Sequence, residues 1–274
     1  MAPTGRGAVF LLTDYGDVDE FAGVMRAVLL REAPEAQVVD LTHAISPFDV
    51  RAGAFALSRS VRYLGPGVVV GVVDPGVGSG RRAVAVAVRG ASGGPSRLVG
   101  PDNGLLGWAL DALGGADAAV ALTPAPAGGP TGATFDGRDL FAPVAARLWS
   151  GADLHDVGVP IDPGTLVRLD PPRLEVSPGS VEAEVQWVDR FGNAQLAARP
   201  ADGLRAGLAG VVEVDVGGAR SRARSVTSFG ALADGEVGLL VDANGHLCLV
   251  CPRRPAATVL GVQPGAVVRL NRVP

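Results

Sequence analysis

The chain contains no lysine: among its 274 residues every basic side chain other than three histidines is arginine. Alanine, glycine, proline and valine dominate the rest, so GC-rich coding explains the bias better than a demand for guanidinium groups does. Cysteine is almost as scarce, with only Cys248 and Cys251, in the run Cys-Leu-Val-Cys. In a strand those two side chains point to opposite faces, and no second Cys or His pair completes a zinc site, so neither metal nor redox chemistry is expected. No stretch of about 18 apolar residues exists for a membrane span. A basic segment followed by an apolar one is missing from the start of the chain, so a cytoplasmic location is expected. Runs of like charge are missing, and the formal charge is only −4, which argues against a nucleic-acid or anionic-membrane partner. A small molecule is the partner that remains.

What the chain does have is apolar content, 47% of residues, enough for a packed core in one large domain or two modest ones. Residues 7–13 form a short apolar run that meets the acidic turn Asp14-Tyr15-Gly16-Asp17-Val18-Asp19. After it Phe21, Val24, Met25, Val28 and Leu29 recur at helical spacing. Strand, loop and helix then repeat: Gln37 to Leu41, a loop through Ser46-Pro47-Phe48-Asp49, and an amphipathic segment from Val50 to Tyr63. Val68 to Val73 is apolar without alternation, as expected of a strand buried on both faces, and ends at Asp74-Pro75-Gly76. Val84 to Val88 and Leu98-Val99 add strands, Asn103 to Leu113 and Leu140 to Trp149 read as helices, and the Gly/Ala/Pro-rich stretch 114–133 reads as a loose loop.

Alternating strands and helices predict an α/β N-terminal domain with a mostly parallel central sheet, assigned to residues 1–165. Prolines and glycines punctuate the chain from Ile161 to Pro178 and mark the boundary. Beyond it, the runs 181–188, 210–216, 237–241, 246–250 and 266–270 predict a smaller all-β barrel or sandwich over residues 175–274.

Ligands of parallel sheets collect at the carboxyl ends of the strands, which directs attention to the turns at Asp14 and Asp74. A lone aspartate after a strand is ordinarily a helix N-cap. Asp14, Asp17 and Asp19 within six residues, with Glu20 beside them, exceed that need; one carboxylate suits a vicinal ribose diol and another an amino-acid ammonium. The run Asp74-Pro75-Gly76-Val77-Gly78-Ser79-Gly80-Arg81-Arg82 lacks the Lys-Ser/Thr of a P-loop and the glycine spacing of a dinucleotide fingerprint. Its glycines instead let the backbone double back, so that Arg81 approaches Asp74. Read blandly, the same run is a surface turn with a solvated ion pair.

Gly100-Pro101-Asp102-Asn103-Gly104-Leu105-Leu106 and Thr134-Phe135-Asp136-Gly137-Arg138-Asp139 complete a set of four polar junctions in order along the chain. With these motifs the chain resembles the S-adenosyl-L-methionine (SAM) hydroxide adenosyltransferases, relatives of the fluorinase and chlorinase enzymes. The resemblance implies hydrolysis of SAM to adenosine and methionine, with SAM as substrate, no further cofactor, and a homotrimer whose sites lie between the N-terminal domain of one subunit and the C-terminal domain of the next. It implies that Asp14 holds the ribose hydroxyls, Asp19 meets the methionine ammonium and Phe48 walls the ribose. In the C-terminal half, Asp189-Arg190-Phe191-Gly192-Asn193 corresponds to the family's Asp-x-Phe-Gly-Asn segment, with Asp189 at the methionine amine, Asn193 at the adenine edge and Phe229 stacking near adenine.

Halogenases resemble this sequence but carry tyrosine where Asp74 stands and threonine where Val77 stands, and the fluorinase has serine in place of Gly137. A carboxylate beside the reacting carbon repels a halide and accepts a proton from water. The hydrolytic branch uses an Asp-Arg-His set; Asp74 and Arg81 match its first two members, whereas Asp136 stands where the family has histidine. Either Asp136 takes over, so that Asp74, oriented by Arg81 and helped by Asp136, receives the proton, or the site binds SAM and turns it over slowly. Ala243 replaces a serine that relatives use near the methionine carboxylate, leaving the backbone of Asn244 or an arginine such as Arg253 to serve. The alternatives are a calcium-dependent nucleoside hydrolase, whose acidic strand-end motif the first turn faintly resembles although Leu12 stands in place of its leading aspartate, and a non-catalytic SAM or adenosine sensor.

Overall fold

A computed structural model describes residues 7–89, 93–123 and 134–273. The chain divides into two units, Met1–Leu169 and Asp170–Pro274.

The first unit carries β1 (Ala8–Thr13), α1 (Phe21–Glu32), β2 (Gln37–Thr42), α2 (Val50–Ser60), β3 (Gly67–Val72), β4 (Ala83–Val88), β5 (Pro95–Pro101), α3 (Gly107–Ala112), β6 (Ala116–Leu122), α4 (Ala142–Trp149) and β7 (Gly158–Ile161). Its strands lie in the order β2-β1-β3-β5-β4-β6-β7. β1, β2, β3, β5 and β6 run one way, β4 and β7 the other, so the sheet is mostly parallel by direction. Every residue of β1, β3 and β4 is buried, which is why these strands read as unbroken apolar runs. One face packs Leu11 and Val70 against Met25 and Leu29 of α1, Val144 of α4 and Phe141. On the other face, Gly71 of β3 leaves room for Leu57 of α2 and for Leu105 and Leu106, which lead into α3.

Connections from β1 through α1 to β2, and from β2 through α2 to β3, put their helices on opposite faces. β1 and β3 are neighbours, with Thr13 opposite Val72. The strand order therefore reverses between them, and a crevice opens at their carboxyl ends.

Three sequence expectations need correction here. Residues 116–122, read as loose loop, form β6 inside the sheet; its small side chains fit beside the equally alanine-rich β4 but carry almost no alternation to read. The rest of that stretch, 124–133, lies outside the described residues. The helix expected from Asn103 begins only at Gly107, because the Asn103 side chain turns back to accept from Leu105 N–H at 3.1 Å. The helix expected from Leu140 is preceded by a π-turn, Gly137–Phe141.

The second unit adds β8 (Leu174–Ser177), β9 (Ser180–Val188), β10 (Ala194–Leu196), α5 (Pro200–Arg205), β11 (Val211–Val216), β12 (Ala219–Ser225), β13 (Gly238–Val241), β14 (Leu247–Val250), α6 (Ala256–Leu260) and β15 (Val267–Arg272). The order β10-β14-β13-β12-β11-β15-β9 closes through a β10–β9 pairing into a seven-stranded barrel, and β8 forms a hairpin on β9. Closure removes the sheet edges. β8 lies within the proline-punctuated stretch read as boundary. β12 escaped notice because, of Ala-Arg-Ser-Arg-Ala-Arg-Ser, only Ala223 is buried.

Beside β12, Arg224 clamps Glu236 through two hydrogen bonds of 2.7 and 2.9 Å. That clamp first, then the Ala233 N–H, lowers the Glu236 carboxyl from 4.5 to about 2. A carboxyl depressed by folding stabilises the native state above its unfolded value, and the contribution is lost as pH falls through the folded one. Glu236→Gln is thus expected to lower the urea midpoint at near-neutral pH, and the gap from native should close between 4.5 and about 2. A gap that stays constant through that window would contradict the assignment.

Candidate active site

Asp14 follows β1 and Asp74 follows β3 by two residues, so the parallel register delivers both carboxylates to the crevice. Phe48, in the connection after β2, joins them: its N–H donates to Asp14 Oδ2 at 2.9 Å. Phe48 has φ of 68°, unusual for a side chain this large, and its ring is 72% exposed. An aromatic ring held to solvent on strained backbone is the kind of feature that binding sites keep. Asp14 Oδ1 accepts nothing among the described residues.

The glycine-rich turn does double back. Val77 N–H donates to Asp74 O at 3.2 Å and Ser79 N–H to Gly76 O at 3.0 Å, which returns Arg81 to Asp74. Arg81 Nε donates to Asp74 Oδ1 at 3.0 Å and Nη2 to Oδ2, a two-pronged grip on one carboxylate. The same Nη2 donates to Asp136 Oδ2. Side-chain exposure is 6% for Asp74, 14% for Arg81 and 23% for Asp136. Burial opposes the charge on Arg81, but its hydrogen bonds to Asp74 and Asp136 outweigh that and push its pKa above the ordinary arginine value. Both Asp74 oxygens are taken, whereas no hydrogen bond among the described residues reaches Asp136 Oδ1.

Arg82 turns the opposite way. Its Nε donates to the buried Asp102 at 2.8 Å and its Nη1 to Thr165 Oγ1 at 3.1 Å. Asn103 Nδ2 donates to Val73 O at 2.8 Å. The Gly-Pro-Asp-Asn-Gly motif thus anchors both ends of the segment that carries Asp74 and Arg81 without entering the site. Arg138 and Asp139 pair with each other at 2.6 and 2.7 Å on the exposed side of the π-turn.

Asp14, Asp19, Phe48, Asp74 and Asp136 line one cavity of about 330 Å³, within the usual size range for small-molecule sites. Val77, where halogenases carry threonine, also lines it, as do Tyr15, Phe21 and Thr134, which were not singled out from sequence. Tyr15 sits inside the acidic turn, and that position was the available signal. None of the three histidines supplies an imidazole to this cavity. His43 Nδ1 lies 2.8 Å from Thr13 Oγ1, beneath the turn, and His155 belongs to an exposed one-turn helix.

In the barrel unit, Phe191, Asn193 and Phe229 line a second cavity of about 470 Å³ with Cys251, Arg253 and Arg254. Phe191 and Phe229 are 72% and 48% exposed. Asp189 organises the loop beneath: Oδ1 accepts from Phe191 N–H and Asn193 N–H, both at 2.9 Å, and Oδ2 from Asn193 Nδ2 at 2.8 Å. Gly192 is essential to that loop, since φ is 81° and a Cβ would lie 2.3 Å from Pro255 Cβ. Asn244 lies in the β13–β14 turn, its N–H held by Asp242 Oδ1 at 2.8 Å, and it is not among the residues lining the cavity. His246 is buried against Leu196 O at 3.1 Å, and both cysteines are free and buried.

Residues 9–158 match the SAM hydroxide adenosyltransferase N-terminal domain and residues 183–269 the C-terminal domain of the same family. The chain belongs to that family. The (R)-S-adenosyl-L-methionine hydrolase of Salinispora tropica is 45% identical over 99% of both chains, and that of Thermus thermophilus 41% identical over 96% of this chain and 98% of its own. An uncharacterised conserved protein of Thermotoga maritima, solved by crystallography, superimposes with a TM-score of 0.87 at 31% identity, covering 96% of this chain and all of its own. Among the described residues no three of His, Cys, Asp and Glu converge to hold a metal ion. No helix among them is long and apolar enough to cross a membrane.

Proposed function

We propose that this chain hydrolyses S-adenosyl-L-methionine to adenosine and L-methionine by in-line attack of water at ribose C5'. The observation that carries the reading is that Asp74 and Asp136, bridged by Arg81, line the same cavity as Asp14 and Phe48. Asp14 Oδ1 takes the ribose diol while Oδ2 is held by Phe48 N–H, so the sugar's anchor and its aromatic wall are set by one hydrogen bond. Asp19 meets the methionine ammonium.

The sulfonium makes methionine a neutral leaving group that needs no protonation and no cofactor. The bond from water oxygen to C5' forms as the C5'–S bond breaks, its electron pair staying on sulfur as the thioether. The water proton passes to a carboxylate and then to solvent. Asp74 is the less suited acceptor, with both oxygens gripped; Asp136, more exposed and with Oδ1 free, is the better one. Arg81 and Asp74 then serve to hold it. Orientation does most of the work: well-aligned intramolecular reactions gain roughly 7 to 11 kcal/mol at their upper limit. Carboxylates flanking the nucleophile disfavour a halide in its place.

On the barrel unit, Asn193 reads the adenine edge and Phe191 and Phe229 flank the base. Asp189 orders that loop and offers its remaining lone pairs to the methionine amine, and the Asn244 backbone or Arg253 receives the carboxylate. The chain works as a homotrimer in the cytoplasm, the barrel unit of one subunit completing the site on the α/β unit of its neighbour.

Incubation with SAM in water labelled with heavy oxygen tests the chemistry. Label is expected in the 5'-hydroxyl of adenosine and none in methionine. Unlabelled adenosine, free adenine, methylthioadenosine or a halogenated nucleoside as the main product would each refute it.

A further inference from the structure

Tyr15 adjoins Asp14 yet has no part in the chemistry above. Its ring is wedged in an aromatic triangle, with centroids 5.8 Å from Phe21 and 5.6 Å from Phe135, which are themselves 5.1 Å apart. The edge-on contact with Phe135 and the tilted one with Phe21 fix where the phenol points. The hydroxyl rests on Gly137: a Cβ built there would lie 2.3 Å from Tyr15 Oη. Tyr15 lines the cavity shared by Asp14, Asp74 and Asp136.

Among the described residues no hydrogen bond takes the hydroxyl proton, so it is left to be given. Burial first, then the charges of Asp14, Asp74 and Asp136, push the pKa of Tyr15 well above the ordinary tyrosine value, so the group is a donor and not a base. The attacking water has two lone pairs and two protons. One pair forms the bond to C5' and one proton goes to Asp136 Oδ1, while a second, unpartnered pair would leave the molecule free to turn. A fixed donor on that pair removes the freedom.

We infer that Tyr15 is a positioning residue that donates its hydroxyl hydrogen bond to the attacking water, and that residue 137 is glycine because any side chain there would evict that hydroxyl. The inference rests on the hydrolytic reading and leaves its bond changes as written: oxygen to C5' forms, C5' to sulfur breaks, and the proton goes to Asp136.

Tyr15→Phe keeps the ring and loses only the hydroxyl. Its kcat is expected to fall about ten- to a hundredfold, with KM within about threefold of native, because the interaction matures in the transition state. Gly137→Ala should produce the same fall, and the double variant should be no slower than either single, since all three lose one and the same hydrogen bond. Native kcat in Tyr15→Phe with a lowered Tm, or losses that multiply in the double variant, would show a packing role and overturn the inference. Should Tyr15→Phe turn over normally while Asp136→Asn does not, Tyr15 is excluded and the hydrolytic reading stands. A native enzyme that puts no heavy oxygen into adenosine removes the reading itself.

Discussion

Asp136→Asn is expected to lower kcat for adenosine release by about a hundredfold to ten-thousandfold, the usual worth of a positioned general base, while adenosine and SAM still bind. Asparagine keeps the shape of aspartate and can still accept from Arg81 Nη2 through its amide oxygen, so the cavity should be preserved. What it loses is the one carboxylate oxygen in the cluster to which no other group is bonded. Asp74→Asn makes the contrast. Its oxygens each accept from Arg81, so this change should disturb the position of Arg81 and cost less in turnover than Asp136→Asn. Steady-state adenosine release together with calorimetric binding separates the two. The opposite ranking would return the proton-accepting role to Asp74.

Arg81→Met is expected to destabilise the α/β unit strongly. Asp74 is 6% exposed and Arg81 14%, so losing the guanidinium strands a carboxylate away from water. Breaking a buried pair from one side typically costs about 3–5 kcal/mol, which for a unit of this size corresponds to roughly 6–20 °C in Tm. Activity should vanish with it, because Asp136 loses the group that orients it. Adding Asp74→Asn should restore most of the melting temperature and none of the turnover. That non-additive recovery is the signature of a shared partner, and equal, additive losses would mean that the grip contributes little. The recovery matters for interpretation, since it separates a folding defect from a chemical one.

Both expectations rest on residues visible in the sequence. Asp74 and Arg81 stand seven apart across a glycine-rich run, and a chain able to fold back over that distance brings them together. Asp14 and Phe48 were visible as polar or aromatic groups after apolar runs. Phe21 was hidden by its own chemistry, since an aromatic residue at a helix start reads as core, and Tyr15 was marked only by its place inside the acidic turn. Only the third ring, Phe135, arriving from more than a hundred residues downstream, turns the group into a support for a hydroxyl. β6 and β12 escaped for opposite reasons: one is made of alanines that any packed surface accepts, the other presents mostly polar side chains to solvent.

The amino-acid order alone determined the α/β-then-β division, the family and the carboxylates that line the first cavity, because each of these is written in local periodicity or in short motifs at strand ends. The tertiary structure decided how the work is shared among them. Whether an aspartate is gripped on both oxygens or left with one free depends on where a single guanidinium comes to rest, and whether a tyrosine donates into a cavity depends on a glycine that folding brings beneath it. Such contacts join residues tens of positions apart, and no local pattern encodes the distances that settle them.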